Sequence, residues 1–159
     1  MSWFTETFGS TIGRKLLMSL TGLFLIIFLI IHLLGNLAIF SDDGGLAFNA
    51  YAVFMTTNPL IKVVSYALYI SILAHAVIAL WLWINNKLAR PVKYAVSNAN
   101  ENSSWASRSM MLLGSLVFIY LFIHLKDFWW QYKFAGDYEF HIDANGNKDL
   151  YALVIEQFQ

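Results

Sequence analysis

Residues 21–40 read TGLFLIIFLIIHLLGNLAIF, an apolar run in which His32 and Asn36 stand one helical turn apart. About 20 residues at a rise of ~1.5 Å cover the ~30 Å of a bilayer's hydrocarbon as one helix. An imidazole inside such a helix has no water to bond, so it needs a partner within the bundle. The identity of that partner is the question this stretch poses.

The surrounding sequence extends the membrane reading. The chain has 159 residues, 58% hydrophobic and only 13% charged, with a mean hydropathy of +0.57. A water-soluble domain of this size needs more charge to cover its surface. Apolar runs at about 16–40, 60–84 and 110–130 each suffice for a span, which predicts an all-α transmembrane helix bundle. Arg14 and Lys15 precede the first run as in a signal peptide, but the run is too long and no small-residue cleavage site follows, so it reads as a retained span. A net charge of zero gives no reason to expect nucleic acid as a partner, and the lack of cysteine excludes disulfides, thiolate metal sites and iron–sulfur ligation by this chain.

Charge asymmetry orients the bundle. Arg14 and Lys15 lie before the first span, and Lys87, Arg90, Lys93 and Arg108 lie between the second and third. The connection SDDGGLAFNAYAVFMTTNP (residues 41–59) carries two aspartates and neither Lys nor Arg. The positive-inside rule therefore predicts a cytoplasmic N-terminus and a cytoplasmic second loop. Within residues 41–59, Phe48, Tyr51 and Met55 recur at helical spacing, and a lid packed on the bundle is the expected form rather than an interfacial helix. After the polar segment that follows Trp130, Asp149 is a plausible N-cap for a new apolar helix from Leu150. That stretch stops after about two turns of helix. Residues 1–159 thus read as one membrane domain, incomplete at its C-terminus.

His32, His75 and His124 sit one in each span, and His141 falls in the polar segment as a surface residue. One such residue is readily a packing histidine, but one in every span is hard to explain by packing. Counting from Lys15 and from Arg108 puts His32 roughly 25 Å and His124 roughly 24 Å from the inner boundary. Counting back from Lys87 puts His75 roughly 18 Å from it. The first and third spans run the same way, so His32 and His124 form a level pair, with His75 deeper. GLFLIIFLIIHL (22–33) also aligns without gaps on GSLVFIYLFIHL (114–125), sharing its Gly-to-His interval.

Zinc wants three or four protein ligands, and a proton path wants carboxylates; on this reading no Asp, Glu or Cys accompanies the spans. A haem held by one histidine from each side needs two ligands and an apolar slot, and closing both axial positions suits electron transfer. His32 and His124 are accordingly expected as haem iron ligands. The chain offers no catalytic constellation of its own.

The motifs GRKLLMSLTGLFL…HLLGNL, HAVIALWLWINNKLARPVKY and WASRSMMLLGSLVFIYLFIHL together resemble the b558-type, di-haem cytochrome b anchor subunit of succinate:quinone oxidoreductases and fumarate reductases. The likeness covers about residues 13–133. It implies a five-helix anchor with two b haems, the distal one ligated by His32 and His124 and the proximal one by His75 plus a ligand from a further helix that this sequence does not complete. It implies a covalently flavinylated FAD subunit and an iron–sulfur subunit docked on the cytoplasmic face at the basic loop, with menaquinone near the distal haem. Ser19, Arg14 and Lys15, by position and charge, are candidates for the haem propionates, and Trp105 for contact with the proximal haem. Lys and Arg snorkelling and a Trp interfacial anchor are the plainer readings of those positions. A bacterial cytoplasmic membrane is the expected location. A haem-free anchor and another bis-histidine membrane cytochrome b are the alternatives.

Overall fold

The computed structural model describes residues 2–92, 95–96, 98–134 and 141–159; Lys93 of the basic loop and residues 135–140 of the polar segment lie outside them. The N-terminal helix α1 (Trp3–Gly9) turns sharply at Ser10 into α2 (Thr11–Asn36). The Ser10 hydroxyl accepts the Gly13 N–H at 3.0 Å and donates to the Thr7 carbonyl at 2.7 Å. Gly13 lies against the α1 backbone, where a Cβ would come within 2.9 Å of Phe8 Cα. This cap starts the first span at Thr11, earlier than the apolar pattern alone predicts, because Arg14 and Lys15 are carried within the helix.

Beyond Asn36 the helix tightens into a 3₁₀ turn, Leu37–Phe40. The Asn36 amide donates to the His32 carbonyl at 2.7 Å, so this polar side chain is satisfied by its own helix. Gly44 and Gly45, with φ of 66° and 90°, turn the chain into α3 (Leu46–Thr57). Asn58 then caps α4 (Pro59–Leu88) by accepting the Leu60 and Ile61 N–H groups, with Pro59 at the first helical position. Two single-turn helices follow, α5 (Ala99–Asn102) and α6 (Trp105–Arg108). The third span comprises α7 (Met110–His124), a π-helical segment Leu125–Trp130, and α8 (Gln131–Phe134). Asp149 accepts the Ala152 N–H at 3.0 Å and opens α9 (Leu150–Gln157), the cap that the sequence predicts.

Among the described residues, three helical stretches are long and apolar enough to cross a membrane: Thr11–Phe40, Pro59–Leu88 and Met110–Phe134. Their large apolar side chains point outward; Leu29, Ile70 and Phe122 are among those more than half exposed. A chain with this surface is a multi-pass membrane protein, because lipid covers what water would reject. The fold is an all-α bundle, and among the described residues the only extended pairing is an isolated bridge between Ile142 and Lys148.

Buried packing concentrates at one end of the bundle. There α3 lies over α2 and α4 and receives α9, burying Phe48, Ala52 and Leu153 together with Asn49. The segment around Phe48 is therefore a lid on the bundle, as its spacing predicts. Gly35 on α2 makes room for the Tyr51 ring, which occupies the space a Cβ would need. Along the bundle, α2 and α4 share a continuous seam, whereas the third span forms no comparable seam with either.

Candidate functional site

The level pair meets. The His32 and His124 ring centroids are 5.8 Å apart, with planes crossing at 88°. Each imidazole is braced by an aromatic one turn earlier on its own helix: Phe28 stacks on His32 at 5.1 Å and Tyr120 on His124 at 5.7 Å. Phe128 closes over His124 from the other side at 5.1 Å and itself stacks on Phe158. The neighbours that flank the pair are thus aromatic, and a ring held from one flank by its own helix loses little freedom on binding.

Two features bear on what these rings could hold. The His124 Nδ1 is buried and makes no hydrogen bond, a rare condition for a buried ring nitrogen. In addition, among the described residues no cluster of three or more His, Cys, Asp or Glu could hold a metal ion. A metal bonded at about 2 Å to one nitrogen of each of two imidazoles separates their centroids by about 6 Å. The observed separation leaves room for a metal between the rings, and two protein ligands suffice for a metal that brings its other ligands with it, as haem does.

His75 lies elsewhere, on the seam between α2 and α4. Its Nδ1 is 2.9 Å from Thr21 Oγ1, and its ring faces Gly22, where a Cβ would stand 3.3 Å from Cε1. Thr21 precedes His32 by eleven residues, so the two histidine sites are separated by roughly 16 Å along α2.

The other candidates divide. The Arg14 guanidinium stacks on the Trp81 ring at 4.1 Å and ties the start of α2 to the end of α4. Lys15 and Ser19 are exposed, and Trp105 is 66% exposed at the start of α6. None of these four touches a histidine. The basic loop also uses its charges locally. Arg108 donates to the carbonyls of Ala99 and Ser103 and to Asn100 Oδ1, and Lys87 lies 4.1 Å over the Trp83 ring.

One expectation is corrected. The spans do carry a carboxylate: Asp127, in the π-helical segment one turn beyond His124, pairs with Lys126 at 2.9 Å. At the end of a span a Lys–Asp pair neutralises its own charge, and a bulk composition count hides it. The sequence reading also missed Thr21 as a histidine partner and the π-helix. For Thr21 a signal existed, since a hydroxyl beside a glycine on a span suits close approach of a second helix. Comparison with known protein families, curated proteins and solved structures finds no match to this chain.

Proposed function

We propose that the chain is a haem b-binding membrane anchor that carries electrons between an iron–sulfur partner and membrane quinone, as the electron-transfer subunit of a succinate:quinone oxidoreductase or fumarate reductase. The observation that carries this reading is the His32–His124 pair: two imidazoles from different spans, 5.8 Å apart, walled by aromatics, one with an unpartnered buried nitrogen. His32 and His124 would hold one haem, and His75 would supply one ligand to a second. Bound there, haem supplies one-electron transfer without an open position for oxygen chemistry. The chain's residues contribute orientation and water exclusion. Phe28, Tyr120 and Phe128 fix the ring planes and keep the site apolar, and the lid of α3 and α9 closes that end of the bundle. Dicarboxylate chemistry then belongs to a flavoprotein partner. On this reading the basic loop and N-terminus face the bacterial cytoplasm, where the flavoprotein and iron–sulfur subunits dock, and menaquinone is the quinone.

A haem-free anchor is the second reading, and it draws on His75, whose Nδ1 has a ready partner in Thr21 across a packed seam. A reduced-minus-oxidised spectrum with haem quantified per chain separates the two. Wild type is expected to show b-type absorption, and His32→Ala or His124→Ala to lose one haem. A folded wild-type chain without haem overturns the cytochrome reading and leaves the anchor.

A further inference from the structure

The Thr21 hydroxyl is within bonding distance of three acceptor-capable atoms: the Leu17 carbonyl at 2.7 Å, the Met18 carbonyl at 3.2 Å and His75 Nδ1 at 2.9 Å. A hydroxyl carries a single proton and two lone pairs. Two oxygens at 2.7 Å sit at the modal O–H···O length, and without a proton between them they repel. The proton therefore lies toward Leu17, the usual bond of a threonine to the carbonyl four residues back in a membrane helix. What Thr21 then turns toward α4 is a lone pair. For Oγ1 and Nδ1 to meet at 2.9 Å, the histidine nitrogen must be the donor.

We infer that Thr21 is a positioning residue that holds neutral His75 as its Nδ1-protonated tautomer and so keeps the Nε2 lone pair available to coordinate a metal. Gly22 completes the device, because its missing side chain lets the imidazole lie against α2 within reach of the neighbouring hydroxyl. Metal-ligating histidines ordinarily donate their second ring N–H to a protein acceptor, which fixes the ring and raises its basicity. His75 meets that requirement through Thr21, whereas His124 Nδ1 has no such partner. The two histidine sites thus differ in how their second ring nitrogen is held. The assignment of haem as the metal rests on the functional reading above; the tautomer does not.

The test uses the full chain in liposomes with ring-15N histidine, at a pH above 8 where imidazole is neutral. His75 resonances are assigned by their loss in His75→Gln. Protonated and bare ring nitrogens differ widely in 15N shift, so the tautomer is read directly and without haem. Wild type and Thr21→Ser are expected to carry the proton on Nδ1, and Thr21→Val to lose that preference. In haem-loaded protein, Thr21→Val is expected to move the potential of the His75-ligated haem upward, with Thr21→Ser restoring it. A bond that serves packing alone would leave that potential unmoved.

An Nε2-protonated His75 in wild type overturns the inference, whether or not haem binds. An Nδ1-protonated His75 in a folded chain that takes up no haem upholds the tautomer and overturns the functional reading instead. If Thr21→Val does not fold, the wild-type and Thr21→Ser spectra still decide.

Discussion

Asn49 is fully buried on α3, yet every polar atom of its side chain is used. Its amide nitrogen donates to Asp149 Oδ1 at 2.9 Å, and its oxygen accepts the Tyr151 N–H at 2.9 Å. One side chain thereby clamps the first turn of α9 to the lid. Asn49→Ala would strand the Tyr151 N–H, and such losses cost about 1–3 kcal/mol. The expected outcome is a lid that protease nicks between residues 141 and 149 well before the spans yield. A turn nearby is built around a carboxylate. The Asp143 carboxylate accepts the backbone N–H of Asn147 at 2.8 Å and of Asn145 at 2.9 Å. These bonds, led by that from Asn147, hold its carboxyl below the usual value. A lowered folded-state pKa stabilises the turn above the unfolded value of about 3.9 and loses that contribution as pH falls through the folded one. Amide exchange at Asn145 and Asn147, referenced to other exposed amides at each pH, should therefore accelerate below about pH 4 in wild type. Asp143→Asn should abolish that extra acceleration.

At the scale of elements, the six-residue π-helical segment Leu125–Trp130 begins directly after His124. It re-aims the rest of the span so that Trp129 Nε1 donates to the Tyr69 hydroxyl on α4 at 2.9 Å. A π-turn amounts to one residue inserted into an α-helix, and each residue turns the helix by about 100°. Because the π-turn absorbs that one extra residue, deleting Lys126 should relax the segment to α-helix with Trp129 still facing Tyr69, seen as unchanged tryptophan emission and helicity. A shifted emission would mean that the segment does not relax to a regular α-helix. The contrast with α2 explains what could be read from residues alone. The spans were legible because apolar length is a strong signal, and the His32–His124 level followed from rise per residue. The π-turn was not, because GSLVFIYLFIHL has the same period as GLFLIIFLIIHL up to the histidine, and the departure starts only after it. Asn49 was missed for a different reason. A polar residue in a short apolar helix reads as surface unless its distant partner, one hundred residues away, is known.

Across the whole molecule, the third span is the least supported piece. The first two spans share a seam along their length, while the third is tied through Trp129 to Tyr69, through α9, and through the facing rings of His32 and His124. Membrane helices gain little from mutual apolar contact, since lipid offers the same, so a gap along a span is not closed by hydrophobic force. A group bridging His32 to His124 would supply the missing support, and its binding free energy would appear as stability of that span. At a ligand concentration of one hundred times Kd this linkage contributes about 2.7 kcal/mol. In a chain of this size that corresponds to a rise in Tm of roughly 5–10 °C. Haem added to detergent-solubilised wild type should raise Tm by that amount and slow amide exchange across residues 110–134. The paired variant His32→Ala/His124→Ala should show neither effect. An equal rise in that variant would mean that haem stabilises the bundle from somewhere other than between these two spans. The ring pair would then be a packing contact rather than a binding site.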